Sequence, residues 1–144
     1  MKKAGIIGYG RFGRVLADLL SKKYEVRVYD IEEVANDEGI EVCRLEEVLE
    51  CILVFIAVPI RAFEGVVKEI ATHQLYNTTI IDVCSVKVYP VEIMEKNLQD
   101  HVGIIASHPH FGPDSYSPFR ELKATICPVR DVYKRTHEVK EIFE

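Results

Sequence analysis
A chain of 144 residues, 48% hydrophobic and 28% charged, is long enough to bury one continuous core and has the make-up of an ordinary globular domain. Its formal charge of −5, with Lys and Arg scattered among carboxylates, excludes the clustered basic face that a nucleic-acid or anionic-membrane binder needs. The longest apolar run, Cys51 to Ile60, is too short to cross a bilayer, and Gly8, Gly10 and Arg11 break the segment after Met1-Lys2-Lys3, which reads as a first strand and not a signal peptide. The cysteines Cys43, Cys51, Cys84 and Cys127 show neither a Cys-x-x-Cys pair nor a zinc spacing, and read as buried free thiols of a cytoplasmic protein.

Apolar β-rich runs alternate with helical patterns along the whole chain. The first strand is Ala4 to Gly8. A helix follows from about Arg11 to Lys22, with Phe12, Val15, Leu16, Leu19 and Leu20 at helical spacing. Glu25 to Tyr29 is a second strand that runs into Asp30, an irregular stretch covers Ile31 to Gly39, and Leu45 to Leu49 makes a turn or two of helix. Ile52 to Val58 is nearly continuous apolar sequence, the pattern of a central parallel strand covered on both faces, and Pro59 ends it. Ala62 to Thr72 is a helix, Thr78 to Val83 a strand, Pro90 to Leu98 a helix and Val102 to Ala106 a strand. Lys123 to Pro128 is a further strand, compatible with antiparallel pairing at the edge, and Asp131 to Glu144 a final amphipathic helix. This alternation predicts an α/β fold over residues 1–144: a doubly wound, mainly parallel sheet with helices on both faces and a ligand at the carboxyl ends of the strands.

The loop after the first strand, Gly8-Tyr9-Gly10-Arg11-Phe12-Gly13, has the spacing Gly-x-Gly-x-x-Gly between an apolar strand and an amphipathic helix. In that context Gly8 permits the tight turn, Gly10 lets backbone approach a pyrophosphate and Gly13 lets helix and strand pack closely. The diphosphate then meets free N–H groups at the positive end of the helix. Asp30 ends the second strand about twenty residues on, where a carboxylate accepts hydrogen bonds from the adenine ribose. It would repel a 2′-phosphate, and Ile31, Glu32 and Glu33 follow it with no Arg. The reading is a Rossmann-type domain for NAD in preference to NADP. Arg11 stands where it can touch phosphate, while Arg14 reads as a surface residue of the helix. Ala57-Val58-Pro59 either flanks the nicotinamide half or is an ordinary strand stop.

Two later loops carry chemistry. The strand Ile80 to Val83 runs into Cys84-Ser85-Val86-Lys87, and the next strand into Ser107-His108-Pro109-His110-Phe111-Gly112-Pro113-Asp114-Ser115. Taken alone, Ser85 is equally a helix cap ahead of Pro90 and Glu92, and His108 equally a satisfied loop histidine. The pair His108-x-His110 lacks a third metal ligand at plausible spacing, so no metal is expected.

With the glycine loop, the segments Asp82-Val83-Cys84-Ser85-Val86-Lys87 and His108-Pro109-His110-Phe111-Gly112-Pro113 make the chain resemble the prephenate and arogenate dehydrogenases of tyrosine biosynthesis, whose dinucleotide domain has an Asp-x-x-Ser-Val-Lys and a His-Pro-Met-Phe-Gly-Pro segment in this order. The resemblance implies an oxidoreductase that transfers hydride from a cyclohexadienol to the nicotinamide, with loss of the ring carboxylate. His108 matches the histidine that draws off the hydroxyl proton, a task for which imidazole is suited because its ordinary pKa lies near neutrality. Ser85 matches a serine that shares the hydroxyl contact. Lys87 either sets the local potential or binds a carboxylate nearby. His110 stands where the family usually has Met, which either changes the polarity beside the ring or marks a divergent branch.

Members of that family continue into a mostly helical second domain that forms the dimer and supplies much of the substrate clamp. The resemblance therefore implies that this chain is the cofactor-binding half: either a fragment or truncated gene product, or a half that another chain completes, with self-association through an apolar face expected. The competing reading from a different class is a nucleotide-sensing regulatory module of the potassium-transport type. It accounts for Gly8 to Asp30 but gives no reason for Ser85-Val86-Lys87 or for His108 through Pro113.

Overall fold
Strands that are apolar on both faces need a helical layer on each side, and the computed structural model, which describes residues 1–35, 37, 39–111 and 123–144, has that three-layer form. The chain runs β1 (Lys3–Ile7), α1 (Arg11–Leu20), β2 (Glu25–Tyr29), β3 (Ile40–Val42), α2 (Leu45–Val48), β4 (Leu53–Ile56), α3 (Ile60–Ala71), β5 (Thr79–Asp82), α4 (Val88–Asn97), β6 (Gly103–Pro109), β7 (Ala124–Arg130) and α5 (Thr136–Ile142). Among the described residues these strands form one sheet in the order β3-β2-β1-β4-β5-β6-β7. All neighbours pair parallel except β6 and β7, which are antiparallel. The chain winds outward from β1 to β3, then crosses back to β4 on the other side of β1, so the strand order reverses between β1 and β4.

Alternation along the strands divides the core. Ile6, Phe55, Ile81 and Ile105 point to one face and pack with Leu16 and Leu20 of α1 and Val139 of α5. Ile7, Val54, Ile56, Ile80 and Ile104 point to the other, against Phe63 and Val67 of α3 and Met94 of α4. Each large side chain buried this completely contributes about 1.5–3 kcal/mol relative to an exposed one. Away from the strand carboxyl ends, Arg135 fastens the start of α5 beneath the sheet. Its guanidinium donates to the carbonyls of Ile52 and Asn77, both at 2.9 Å, to Thr79 Oγ1 at 3.0 Å and to Asn77 Oδ1 at 2.7 Å.

The sequence reading and the structure differ at element ends. β3 was not expected: three residues are too few to display a period, and pairing with β2 makes Ile40–Val42 a strand. The first helix stops at Leu20, two residues before the expected Lys22, and the last begins at Thr136 and not at Asp131. Asp131 instead caps it from outside, accepting the N–H of Arg135 and of Thr136 and the hydroxyl of Thr136. β6 continues past Ala106 to Pro109, because Ser107, His108 and Pro109 pair with Ile126, Thr125 and Ala124 of β7. His108 therefore stands on a strand and not in a loop. Of the thiols expected to be buried, Cys51 is; Cys43 and Cys84 are half-buried, and Cys127, on the edge strand, is exposed.

Candidate active site
Register gathers the chemistry onto one edge. Tyr29, Ile7, Ile56, Asp82 and Ala106 are consecutive partners across the sheet, so Asp30, Gly8, Ala57, Val83 and Ser107 each stand one residue beyond the same row. The strand carboxyl ends thus bring together the glycine loop, the acid after β2, the Ala57-Val58-Pro59 turn, the Asp82–Lys87 segment and the described start of the His108 motif.

At the glycine loop each glycine has a separate physical reason. Gly8 has φ +101°, a left-handed conformation, and a Cβ there would lie 2.5 Å from the Ala57 carbonyl oxygen. A Cβ on Gly13 would lie 2.2 Å from the Gly8 carbonyl oxygen, so α1 can approach the loop only without one. Around Gly10 the space is open, with nothing within 4 Å of a Cβ. Gly10 caps α1 without a side chain, the first turn carries no acid, and Arg14 is the first residue whose N–H bonds back to the Gly10 carbonyl, at 3.1 Å. The first turn of α1 sets the positive helix end beside that open space, a cradle that fits a diphosphate.

The side chains around the loop hold it in place. Asp30 Oδ2 accepts the Tyr9 N–H at 2.7 Å and Oδ1 accepts the Glu32 N–H at 2.9 Å, which leaves lone pairs for further donors. The Arg14 guanidinium lies over the Tyr9 ring, 4.6 Å from its centroid, in keeping with a surface role. Arg11 is exposed at the first position of α1. The ring of Phe12 packs on that of Phe111, 6.0 Å away, and Phe111 in turn packs on Phe143 at 6.0 Å. Ala57 and Val58 are half-buried and Pro59 exposed in the turn to α3, with Ala57 N–H bonded to the Ile7 carbonyl at 2.8 Å.

Ser85 is exposed in the turn between β5 and α4. It is not a helix cap: the residue at that position is Lys87, and it makes no capping side-chain bond. His108 is half-buried, its ring centroid 4.5 Å from that of His110, and His110 Nε2 is 2.7 Å from Thr125 Oγ1. Gly112 and Pro113, with Asp114 and Ser115 after them, lie outside the described residues.

Asp82 and Ser107 had no assigned role in the sequence reading. Asp82 is fully buried at the end of β5, and Lys87 Nζ donates to its carboxylate and, at 2.5 Å, to the Ser107 carbonyl. Burial pushes the Asp82 carboxyl up from its ordinary value, against the opposing effect of Lys87. Burial and the Asp82 charge push the neighbouring Cys84 thiol up to about 11, so it stays protonated near neutrality and is no nucleophile. The available signal was a carboxylate ending an otherwise apolar strand.

A doubly wound sheet with a glycine cradle at its switch point and a strand-end acid beside it defines a Rossmann-type nucleotide-binding domain, with Ser85 and His108 on the same sheet edge. Residues 16–126 match the family described as prephenate dehydrogenase, nucleotide-binding domain, and the chain belongs to that family. The match takes in Asp30 and both later motifs but starts after the glycine loop, whose assignment stands on its own geometry.

A probable arogenate/prephenate dehydrogenase of Methanocaldococcus jannaschii is 31% identical over 119 residues, 79% of this chain and 26% of that protein. Arogenate dehydrogenase 1, chloroplastic, of Arabidopsis thaliana is 29% identical over 121 residues, 78% of this chain and 19% of that protein. The chain thus spans about a quarter of the length of the first and about a fifth of the second. The fold is shared with A. aeolicus prephenate dehydrogenase, solved in complex with hydroxyphenyl propionate and NAD+, at a TM-score of 0.74 and 22% identity over 99% of this chain and 56% of that one. Nothing among these relatives favours the nucleotide-sensing regulatory module. No helix among the described residues is long and apolar enough to cross a membrane.

Proposed function
We propose that this chain is the NAD-binding, proton-handling half of a prephenate or arogenate dehydrogenase. The observation that carries the reading is the convergence, on one sheet edge, of the glycine cradle with Ser85 and His108 in a chain of this family. NAD in preference to NADP follows from Asp30, whose charge at the end of β2 suits ribose hydroxyls and opposes a 2′-phosphate.

Gly8 to Gly13 would hold the diphosphate, Asp30 the ribose, and Ala57 to Pro59 would flank the nicotinamide, which when bound supplies the hydride acceptor. His108 then accepts the proton of the ring hydroxyl as hydride leaves the same carbon, and Ser85 orients that hydroxyl by hydrogen bonding. Loss of the ring carboxylate as carbon dioxide aromatises the ring, and the proton held on His108 returns to the phenolate oxygen, so charge and atoms balance. Lys87 and His110 border the site, Lys87 toward charge and His110 beside the His108 ring. Exposed Val86, Val88 and Tyr89 follow Ser85 on this edge and support self-association, or a completing chain, as the source of the remaining substrate contacts.

Titration with NAD and NADP, followed by prephenate or arogenate with reduced cofactor read by absorbance, tests the proposal. NAD binding with turnover supports it in full. NAD binding without turnover restricts the chain to cofactor binding, and tighter NADP binding would overturn the reading of Asp30.

A further inference from the structure
A buried carboxylate with no part in the chemistry above needs another explanation. Asp82 has no exposed surface, and burying an ionised carboxylate costs several kcal/mol unless partners replace its water. Those partners are all present. Oδ1 accepts the Ser107 N–H at 3.2 Å, Oδ2 accepts the Cys84 N–H at 3.2 Å, and the Lys87 ammonium reaches the same oxygen.

Ser107 is tied at every polar group. Besides its N–H, its hydroxyl donates to the Asp82 carbonyl at 2.5 Å and its own carbonyl accepts the Lys87 ammonium at 2.5 Å. The bonds close a ring through Asp82, Lys87 and Ser107. That ring brackets Ser85, which lies between Cys84 and Lys87, and directly precedes His108 on β6. Two of the three Lys87 N–H groups are engaged in it.

We propose that Asp82 and Lys87 are positioning residues: their ion pair, closed through Ser107, sets the turn that carries Ser85 against the strand that carries His108. The inference rests on the reading of Ser85 and His108 above and assigns Lys87 to the scaffold of the site instead of to the substrate. Displacement of a reacting group by about 1 Å costs on the order of a hundredfold in rate, so a rigid link between two elements that share one hydroxyl contact has a large effect to control.

The test compares Lys87→Met, Lys87→Arg and Asp82→Asn with the unmutated chain by thermal unfolding, NAD titration, amide exchange and NMR of the His108 ring. In Lys87→Met, exchange at the Cys84 and Ser107 amides should quicken at least roughly tenfold and the His108 ring signals should shift or broaden, while NAD affinity stays within about threefold. With prephenate or arogenate, kcat should fall about 10- to 100-fold with little change in KM, and Lys87→Arg should recover part of the loss. A merely structural pair would lower the melting temperature yet leave the His108 ring signals and kcat of the folded protein unchanged, and that result overturns the proposal. If Asp82→Asn does not fold, the two Lys87 variants decide. Absence of turnover in the unmutated chain would count against the dehydrogenase reading alone, since exchange and ring signals still decide the positioning.

Discussion
The carboxylate of Asp30 accepts the backbone N–H of Tyr9 at 2.7 Å, so the acid that follows β2 braces the glycine loop. One residue thereby couples the shape of the cradle to the charge beside it. Asp30→Ala should lower NAD affinity about 10- to 100-fold, the equivalent of one lost charge-assisted hydrogen bond of roughly 1.5–3 kcal/mol. NADP should lose much less, because the repulsion toward its extra phosphate goes too. Equilibrium titration with both nucleotides checks this; an unchanged NAD-to-NADP ratio would remove Asp30 from the recognition of either.

Gly8 and Gly10 separate folding from binding within one loop. Gly8→Ala places a methyl 2.5 Å from the Ala57 carbonyl at φ +101°, so it should lower stability by at least about 1–3 kcal/mol through backbone strain. Gly10→Ala meets open space with extended backbone at φ −79°, and should change stability by less than about 1 kcal/mol. Its methyl intrudes where the diphosphate would lie, so NAD affinity should fall although the melting temperature hardly moves. A Gly10→Ala chain that binds NAD normally would sink the assignment of the cradle.

The strand and helix order was legible because the central strands are covered on both faces and therefore read as unbroken apolar runs, and because α1 shows its period in Val15, Leu16, Leu19 and Leu20. The cradle was legible because glycine spacing records a backbone requirement directly. What escaped depends on distant chain segments meeting. The Asp82–Lys87 link closes only when β6 pairs with β5 and brings in Ser107. The extension of β6 through His108 needs β7 as its partner. Arg135 lies in a strongly charged stretch that resembles a solvated helix face, yet its guanidinium is buried on the carbonyls of Ile52 and Asn77, from turns more than fifty residues earlier.

Asp131 should give the acid limb of the stability curve a recognisable component. Burial acts to raise its pKa, but the Thr136 hydroxyl and the N–H groups of Arg135 and Thr136 outweigh it, and the net displacement is downward. A carboxylate whose folded pKa is depressed contributes stability above its unfolded value, near 3.9, and loses that contribution as pH falls through the folded value. Asp131→Ala should therefore cost about 0.5–2 kcal/mol at neutral pH, as removal of a helix cap does. The gap from the unmutated chain should narrow below about pH 4. Denaturant melts at several pH values check the sign; a gap that widens in acid would contradict it.

His108 and His110 lie with their rings 4.5 Å apart, so the chemistry has to be assigned to one of two neighbouring imidazoles. Their partners differ. His110 is exposed and spends one ring nitrogen on Thr125 across the strand pair, a bond that holds the ring against β7 and competes with any proton transfer through that atom. His108 is half-buried on the edge that also carries Ser85 and follows directly on Ser107. If His108 is the proton acceptor, His108→Asn removes general-base catalysis and should lower turnover about 10²- to 10⁴-fold with NAD affinity and melting temperature nearly unchanged. His110→Met removes one exposed hydrogen bond and should change turnover by less than about tenfold. Steady-state rates for the two variants decide between the rings. The reverse ranking would move the base to His110 and make Thr125 the residue that orients it.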